Sequence, residues 1–493
     1  MAKKDKQAIA AKKRRKEKEK QQAIQKKENT KKVLKISLIV FIAICVAVAL
    51  IFIVLTIIDN SGAKIRSQTF IETEHYKIDG AMMSYFIYDS YNSFKEYYAS
   101  SLSSFLDVNK DLKQQQCVYA TSDMGTGNCT WFDFFTADAE SSATNVLKAC
   151  ELAYKNNITL SDEDLNAVSI RAAETDLSVI GNGVTVSDVA NCLKLKVLAN
   201  KYVTEISESI DVTDEEIDEY YSENKDEYDF IEYMSVIYSY TSENKEKIDA
   251  RVDALTKATT KDEFVELLRK YYTLDGSLDV DAVIDNSTDK VTKTNNELTE
   301  DVVEWLFSSH VNDCKAFVAE ASGNNTTDSM TVYFITAEPA PDESQTKSVR
   351  HILFDANEYG SKEKAEKLAN TVFEKLKANN TLEFFKDLAC AYSSDPGSVF
   401  QGGLYSNVKE NTFVESFNDW TFKKKRLVGD MDLLSSTYGY HIVYFESEGL
   451  PAYKGEIREE IYNKKYNELL TSIFDGVTIN RNPKVLNDIK GNI

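Results

Sequence analysis

Only four histidines occur in 493 residues, and two of them stand inside apolar, strand-like runs: His351 in SVRHILF and His441 in TYGYHIVYF. Imidazole changes charge near neutral pH, so metal, nucleophilic and acid–base chemistry are the uses to weigh. The chain has no CxxC pair and no His/Cys cluster at ligand spacing, so no metal is expected. It has no G-x-S-x-G elbow either, which sets aside a Ser/His/Asp hydrolase. What remains is a pair of imidazoles on strands. Near them stand a carboxylate, Asp395, in the turn-forming DPG of YSSDPGS, and two phenylalanines, Phe413 and Phe417, at helical i, i+4 spacing. Plainer readings of the same residues stay open: core histidines, a turn-capping aspartate and core phenylalanines.

The surrounding pattern says what would position these groups. After SVRHILF comes SKEKAEKLANTVFEKLKANN, with Ala365, Leu368, Ala369, Val372 and Leu376 on one helical face. LEFFKDLACAYS, the glycine-bearing loop DPGSVFQGG, the helical FVESFNDWTF and the strand YHIVYF follow. The order β-α-α-loop-α-β describes a small α+β unit with a few antiparallel strands. A fainter copy precedes it: YMSVIYSY, DEFVELLRKYYTLDGS, EWLF and TVYFIT recur in the same order. In that copy Asp275 keeps the place of Asp395, while Ser235 and Met330 stand where His351 and His441 do.

RHIL, YSSDPGS with its following glycine pair, FVESFNDWTF and YGYHIV together resemble the parvulin-type peptidyl-prolyl isomerases over residues 345–447. A helical part before such a unit and a helix after it is similar to the extracytoplasmic foldases of the PrsA and SurA kind. The resemblance implies a catalytic cluster of His351, Asp395, Ser436 and His441, and a proline-binding wall of Leu404, Phe413 and Phe417. It implies no cofactor. The chain departs from the family in LYSN after the glycine pair, in Trp420 where a small residue is usual, and in GDMDLLSS before the last strand.

Charge and hydropathy give the setting. Residues 1–35 hold 15 Lys/Arg against 4 Asp/Glu, so the rest, at −32, is more acidic than the whole-chain charge of −21. Such a body lacks the basic face that nucleic acid requires. Ile36–Ile58 is free of charge for 23 residues, long enough as a helix to span the roughly 30 Å hydrocarbon core. The expectation is a retained single-pass anchor in the cell membrane, with a basic tail in the cytoplasm and the main body outside. Cys117 and Cys129 bracket a Gly/Ser/Thr-rich stretch where a local disulfide would suit an oxidising compartment.

The expected architecture is α+β and multidomain. A basic tail (1–35) and a transmembrane helix (36–58) lead to a helical chaperone-like domain (65–225). A degenerate parvulin-like domain (226–338), a parvulin-type domain (345–447) and a C-terminal helix and tail (451–493) follow. The expected activity is cis/trans isomerisation of X-Pro bonds in exported proteins. Partners would be unfolded chains, proline-containing peptides and the membrane, with a homodimer left open. The competing expectations are a non-catalytic holdase and an envelope interaction scaffold.

Overall fold

The computed structural model describes residues 12–21, 26, 41–54, 61–118, 129–181, 183–276, 279–294, 297–320 and 327–489. Residues 41–54 are helical with exposed apolar side chains. The remainder of the expected 36–58 anchor lies outside the described residues, and among the described residues no helix is long and apolar enough to cross a membrane.

The chain divides into two compact units, one of residues 1–151, 175–195 and 478–493, the other of 152–174 and 196–477. The first unit is not purely helical as expected from 65–225. It carries β1 (Thr69–Glu72) and β2 (Lys77–Asp79), strands too short to reveal a period in sequence. Asp79 then caps the helix Gly80–Tyr97 by accepting from the amides of Ala81 and Met82. Phe94, Phe105, Trp131, Phe134 and Phe135 form an aromatic cluster against that helix. The tail returns to this unit, where a two-residue strand at Asn480–Arg481 pairs antiparallel with β1.

The second unit holds two sheets. The first comprises β3 (Asp229–Tyr240), β4 (Thr288–Thr292), β5 (Cys314–Ala319) and β6 (Asp328–Ile335), in the order β4-β3-β6-β5, with β7 (Ala340–Pro341) joining β3 off this path. The second comprises β8 (Gln345–Asp355), β9 (Leu404–Val408), β10 (Met431–Ser435) and β11 (Gly439–Pro451), in the order β10-β11-β8-β9; the tail strand at Asn480–Arg481 is β12. Numbering strands within each copy gives one topology, second-first-fourth-third, all antiparallel.

Each sheet buries both faces. In the first copy the helices Lys245–Leu255 and Lys261–Leu274 cover one face through Ile248, Val252, Phe264 and Leu268, packed on Met234, Val332 and Phe334. Glu300–Ser308 covers the other through Val302 and Leu306. In the second copy Lys362–Ala378 and Leu382–Tyr392 take the first role, and Glu415–Phe422 brings Phe417 and Trp420 to the opposite face. The helix Asp214–Glu223 starts on a capping box of Thr213 with Glu216. The C-terminal helix Ala452–Asp475 lays Tyr453 and Ile457 on Val212, Ile217 and Tyr228.

Candidate functional site

The polar centre of the second copy is built on alternate positions of two neighbouring strands. β8 and β11 pair His351 with Val443 and Leu353 with His441, so the two histidines lie diagonally on one face. Their Nδ1 atoms are 3.2 Å apart, and both residues are buried, at 6% and 5% exposure.

Asp395 reaches this face because YSSD runs along β8. The amide of Ser394 donates to Leu353 O at 2.8 Å, and Ser393 Oγ accepts from the Leu353 amide at 3.2 Å. One Asp395 oxygen lies 2.8 Å from His351 Nε2 and also accepts from the Ser398 hydroxyl and, at 3.1 Å, from Tyr405. At the other end, Ser436 Oγ is 2.7 Å from His441 Nε2 and accepts from the Tyr438 amide.

The glycine pair closes the loop onto the site. Gly403 O accepts from the His351 amide at 2.9 Å, with Gly403 at φ +82°. A Cβ there would sit 2.4 Å from His351 O, so only glycine lets the loop approach the histidine's own backbone.

Burial opposes ionisation of Asp395, but His351, Ser398 and the Gly397 amide outweigh it and hold the carboxyl far below its usual range. An ionised carboxylate only accepts, so His351 donates through Nε2–H. Burial, then repulsion from His351, pushes His441 down to about 4, which keeps it neutral at physiological pH. One hydrogen bond joins the two Nδ1 atoms, and another joins Ser436 Oγ to His441 Nε2. The result is one continuous hydrogen-bonded chain, from Ser436 to His441 to His351 to Asp395.

An aromatic cup covers this chain. Phe413 and Phe417 stack at 4.2 Å, and Phe417 lies 5.6 Å from the His351 ring and 6.0 Å from His441. Tyr405 meets Phe413 edge-on at 5.5 Å and His351 at 5.4 Å.

Leu404, expected as a third wall, is not part of it. β9 pairs Tyr405 with Val349 and Leu404 with Arg350. Alternation therefore turns Leu404 to the face where Arg350 bonds Glu446 and the carbonyls of Gln401 and Gly402, and gives the wall to Tyr405. Sequence reading missed Tyr405 and Ser398. The only signal for Ser398 was its place three residues after Asp395 in a turn, and Tyr405 needed a register that the sequence does not print. Trp420, the departure from a small residue, is buried beside Phe417, with Arg426 over its ring at 4.3 Å.

Two expectations for the first copy also change. Asp275 is bound by Arg251 through both oxygens, at 2.5 and 2.7 Å, and does not approach Ser235. β3 and β6 pair Ser235 with Tyr333 and Ile237 with Thr331. Thr331, not Met330, thus holds the place of His441, since a one-residue slip moves a side chain to the other face. Met330 packs with the helix-side core.

Elsewhere among the described residues, Glu74, His75 and Glu151 bring possible metal-ligand atoms within 4.8 Å of one another, a cluster the sequence reading did not anticipate. The side chain and amide of His75 both bond the buried Glu151, at 2.8 and 3.1 Å, which accounts for the grouping without an ion.

Residues 336–448 match the model of the PPIC-type PPIASE domain. The second copy thus matches a parvulin-type peptidyl-prolyl isomerase domain, and over that region the chain is similar to SurA and PrsA proteins. Over 128 residues, 25% of this chain and 29% of the other, it is 30% identical to the chaperone SurA of Pseudomonas fluorescens. Over 110 residues, 21% of this chain and 38% of the other, it is 34% identical to the foldase protein PrsA 4 of Bacillus cereus. The chain therefore spans well under half the length of these relatives. The crystal structure of PrsA from Bacillus subtilis shares 19% identity over 65% of this chain and 95% of that one, with a TM-score of 0.19, too low to imply a shared overall arrangement.

Proposed function

We propose that this protein is a membrane-anchored, extracytoplasmic foldase whose second α+β copy accelerates rotation about X-Pro bonds in exported proteins. The observation that carries the reading is the Ser436–His441–His351–Asp395 chain lying directly beneath the Phe413, Phe417 and Tyr405 cup.

Rotation must break amide resonance against a barrier of about 18–20 kcal/mol, yet no bond is cleaved and no proton is transferred. The catalyst needs only to favour the twisted amide over the planar one. In this reading the cup grips the prolyl ring and excludes water, while the chain fixes the electrostatics under the rotating carbonyl. The histidines act by holding the polar groups in place, not as a proton shuttle. Support for the anchor comes from the charge-free run 36–58 behind a basic segment.

The test is a protease-free isomerisation assay on the full-length chain in detergent, using peptides that vary the residue before proline. Acceleration that disappears in a folded His351→Ala/His441→Ala variant supports the proposal. No acceleration by the folded wild type on any peptide sinks it. A binding-only holdase is the second reading, and one observation favours it: the first copy keeps the sheet without a histidine pair.

A further inference from the structure

Cys117 and Cys129 lie outside the isomerase site, at the base of the segment that leads into the helix beginning at Trp131. Gln116 and Thr130 form an isolated antiparallel bridge. The Cys117 amide donates to Cys129 O at 2.8 Å, and the Trp131 amide donates to Gln115 O at 3.0 Å. These two bonds flank the bridge, so Cys117 and Cys129 face one another directly, one residue further along. Opposed residues in a hydrogen-bonded antiparallel pair have Cα atoms about 5.5 Å apart. That lies inside the window of about 4.4–6.8 Å that a disulfide needs. The side chains already interact: burial and the adjacent Cys117 thiol both push Cys129 above its ordinary pKa.

The surroundings give the link something to hold. Gln115, next to the bridge, takes the Asp107 amide on its Oε1 at 2.7 Å and donates to the carbonyls of Asp107 and Lys110. Trp131, on the other side, donates its indole N–H to Phe105 O at 3.2 Å and packs in the aromatic cluster. A covalent tie at 117–129 would fix Gln115 and Trp131 in this network.

We propose that Cys117 and Cys129 form a disulfide in the working protein, installed by a donor disulfide of the extracytoplasmic space. One thiolate attacks the donor sulfur and releases one donor thiol. The second thiolate then displaces the mixed disulfide and releases the other. The chain loses two electrons and two protons, and the donor disulfide takes them up as two thiols. The raised thiol pKa keeps the thiolate scarce at neutral pH, so the uncatalysed reaction is slow. Cys150, Cys192 and Cys390 are buried, and burial pushes Cys314 up to about 12, so these four stay reduced.

The proposal rests on the extracytoplasmic reading for its oxidant, and two measurements separate them. Full-length protein is first reduced, then equilibrated with oxidised glutathione, alkylated and mapped by mass spectrometry. The expected product is 2 Da lighter, carries only a 117–129 cross-link and melts several degrees above the reduced form. No cross-link at saturating oxidant, or one to another cysteine, overturns the pairing whatever the location. Acid-trapped cells are then alkylated and mapped. Finding the link there supports the whole proposal. A link that forms in the purified protein but is absent in cells overturns the disulfide in the working protein, and it counts against the extracytoplasmic placement, not against the geometry.

Discussion

The two α+β copies share strand order, pairing sense and helix placement, yet only one carries a polar chain through its sheet face. In the second copy Val349 and Val443, both small, leave room beside His351 and His441 for Phe417. In the first copy the corresponding positions are Tyr233 and Tyr333, whose rings meet at 5.5 Å and connect through Phe317 to Trp305. Their side chains fill the face that the second copy uses as a cup. The aspartates diverge as well. Asp395 points under the sheet to His351, while Asp275 is drawn to Arg251 on the helix side. The comparison teaches that apolar burial maintains the scaffold, whereas the site depends on a few side chains that packing does not require.

The largest expected effect tests that asymmetry directly. His351→Ala/His441→Ala should lower kcat/KM for a proline peptide by about 10²–10³-fold, the usual scale for losing placed polar groups. Ser235→Ala/Thr331→Ala in the first copy should leave it within about twofold. Equal losses from both pairs would mean that the first copy contributes to the chemistry.

Acid should next separate the copies by stability. The folded-state pKa of His441 lies near 4, below its unfolded value near 6.5. Unfolded chains therefore bind a proton that the folded chain refuses as pH falls from about 6.5 to 4. The resulting loss is on the order of 3 kcal/mol, complete once both states are protonated. The depressed Asp395 adds a loss in the same direction at lower pH, beginning near its unfolded pKa. Melting curves from pH 7.5 to 4 should show a smaller drop for His441→Asn than for wild type. Parallel curves would place the acid sensitivity elsewhere.

A smaller effect is expected from Asp275→Ala, which leaves Arg251, itself 5% exposed, without its bidentate partner. The carboxylate is partly solvated, so the cost should be about 1 kcal/mol, with isomerisation unchanged. Chemical denaturation alongside the peptide assay reads both. A loss of activity would give Asp275 the role it lacks here.

The smallest change is Tyr405→Phe, which keeps the ring on Phe413 and removes one of the donors to Asp395. A fall in kcat of about twofold to fivefold with KM unchanged is expected, because His351 and Ser398 still hold the carboxylate. A rise in KM instead would make the hydroxyl a substrate contact.

Much of this was legible before folding. The heptad-like face of 362–378 and the turn chemistry of DPG each follow from local periodicity or local backbone preference. So does the strand character around both histidines. The i, i+4 spacing of Phe413 and Phe417 does not, since the helix begins at Glu415 and leaves Phe413 outside it. The internal copy was legible as well, because its order of apolar runs survives. Register was not. Leu404 and Tyr405 are neighbours in sequence, as are Met330 and Thr331, and which of each pair faces the site depends on hydrogen bonds to strands far away in the chain. The sequence by itself determined that two histidine-bearing strands, an aspartate turn and a phenylalanine pair belong to one α+β unit of parvulin type. Only the tertiary structure decided that His351 and His441 meet diagonally, that Tyr405 completes the cup and that Asp275 turns away. Side-chain direction in a sheet has a period of two residues, so a one-residue difference in pairing exchanges the two faces, and pairing is a long-range property.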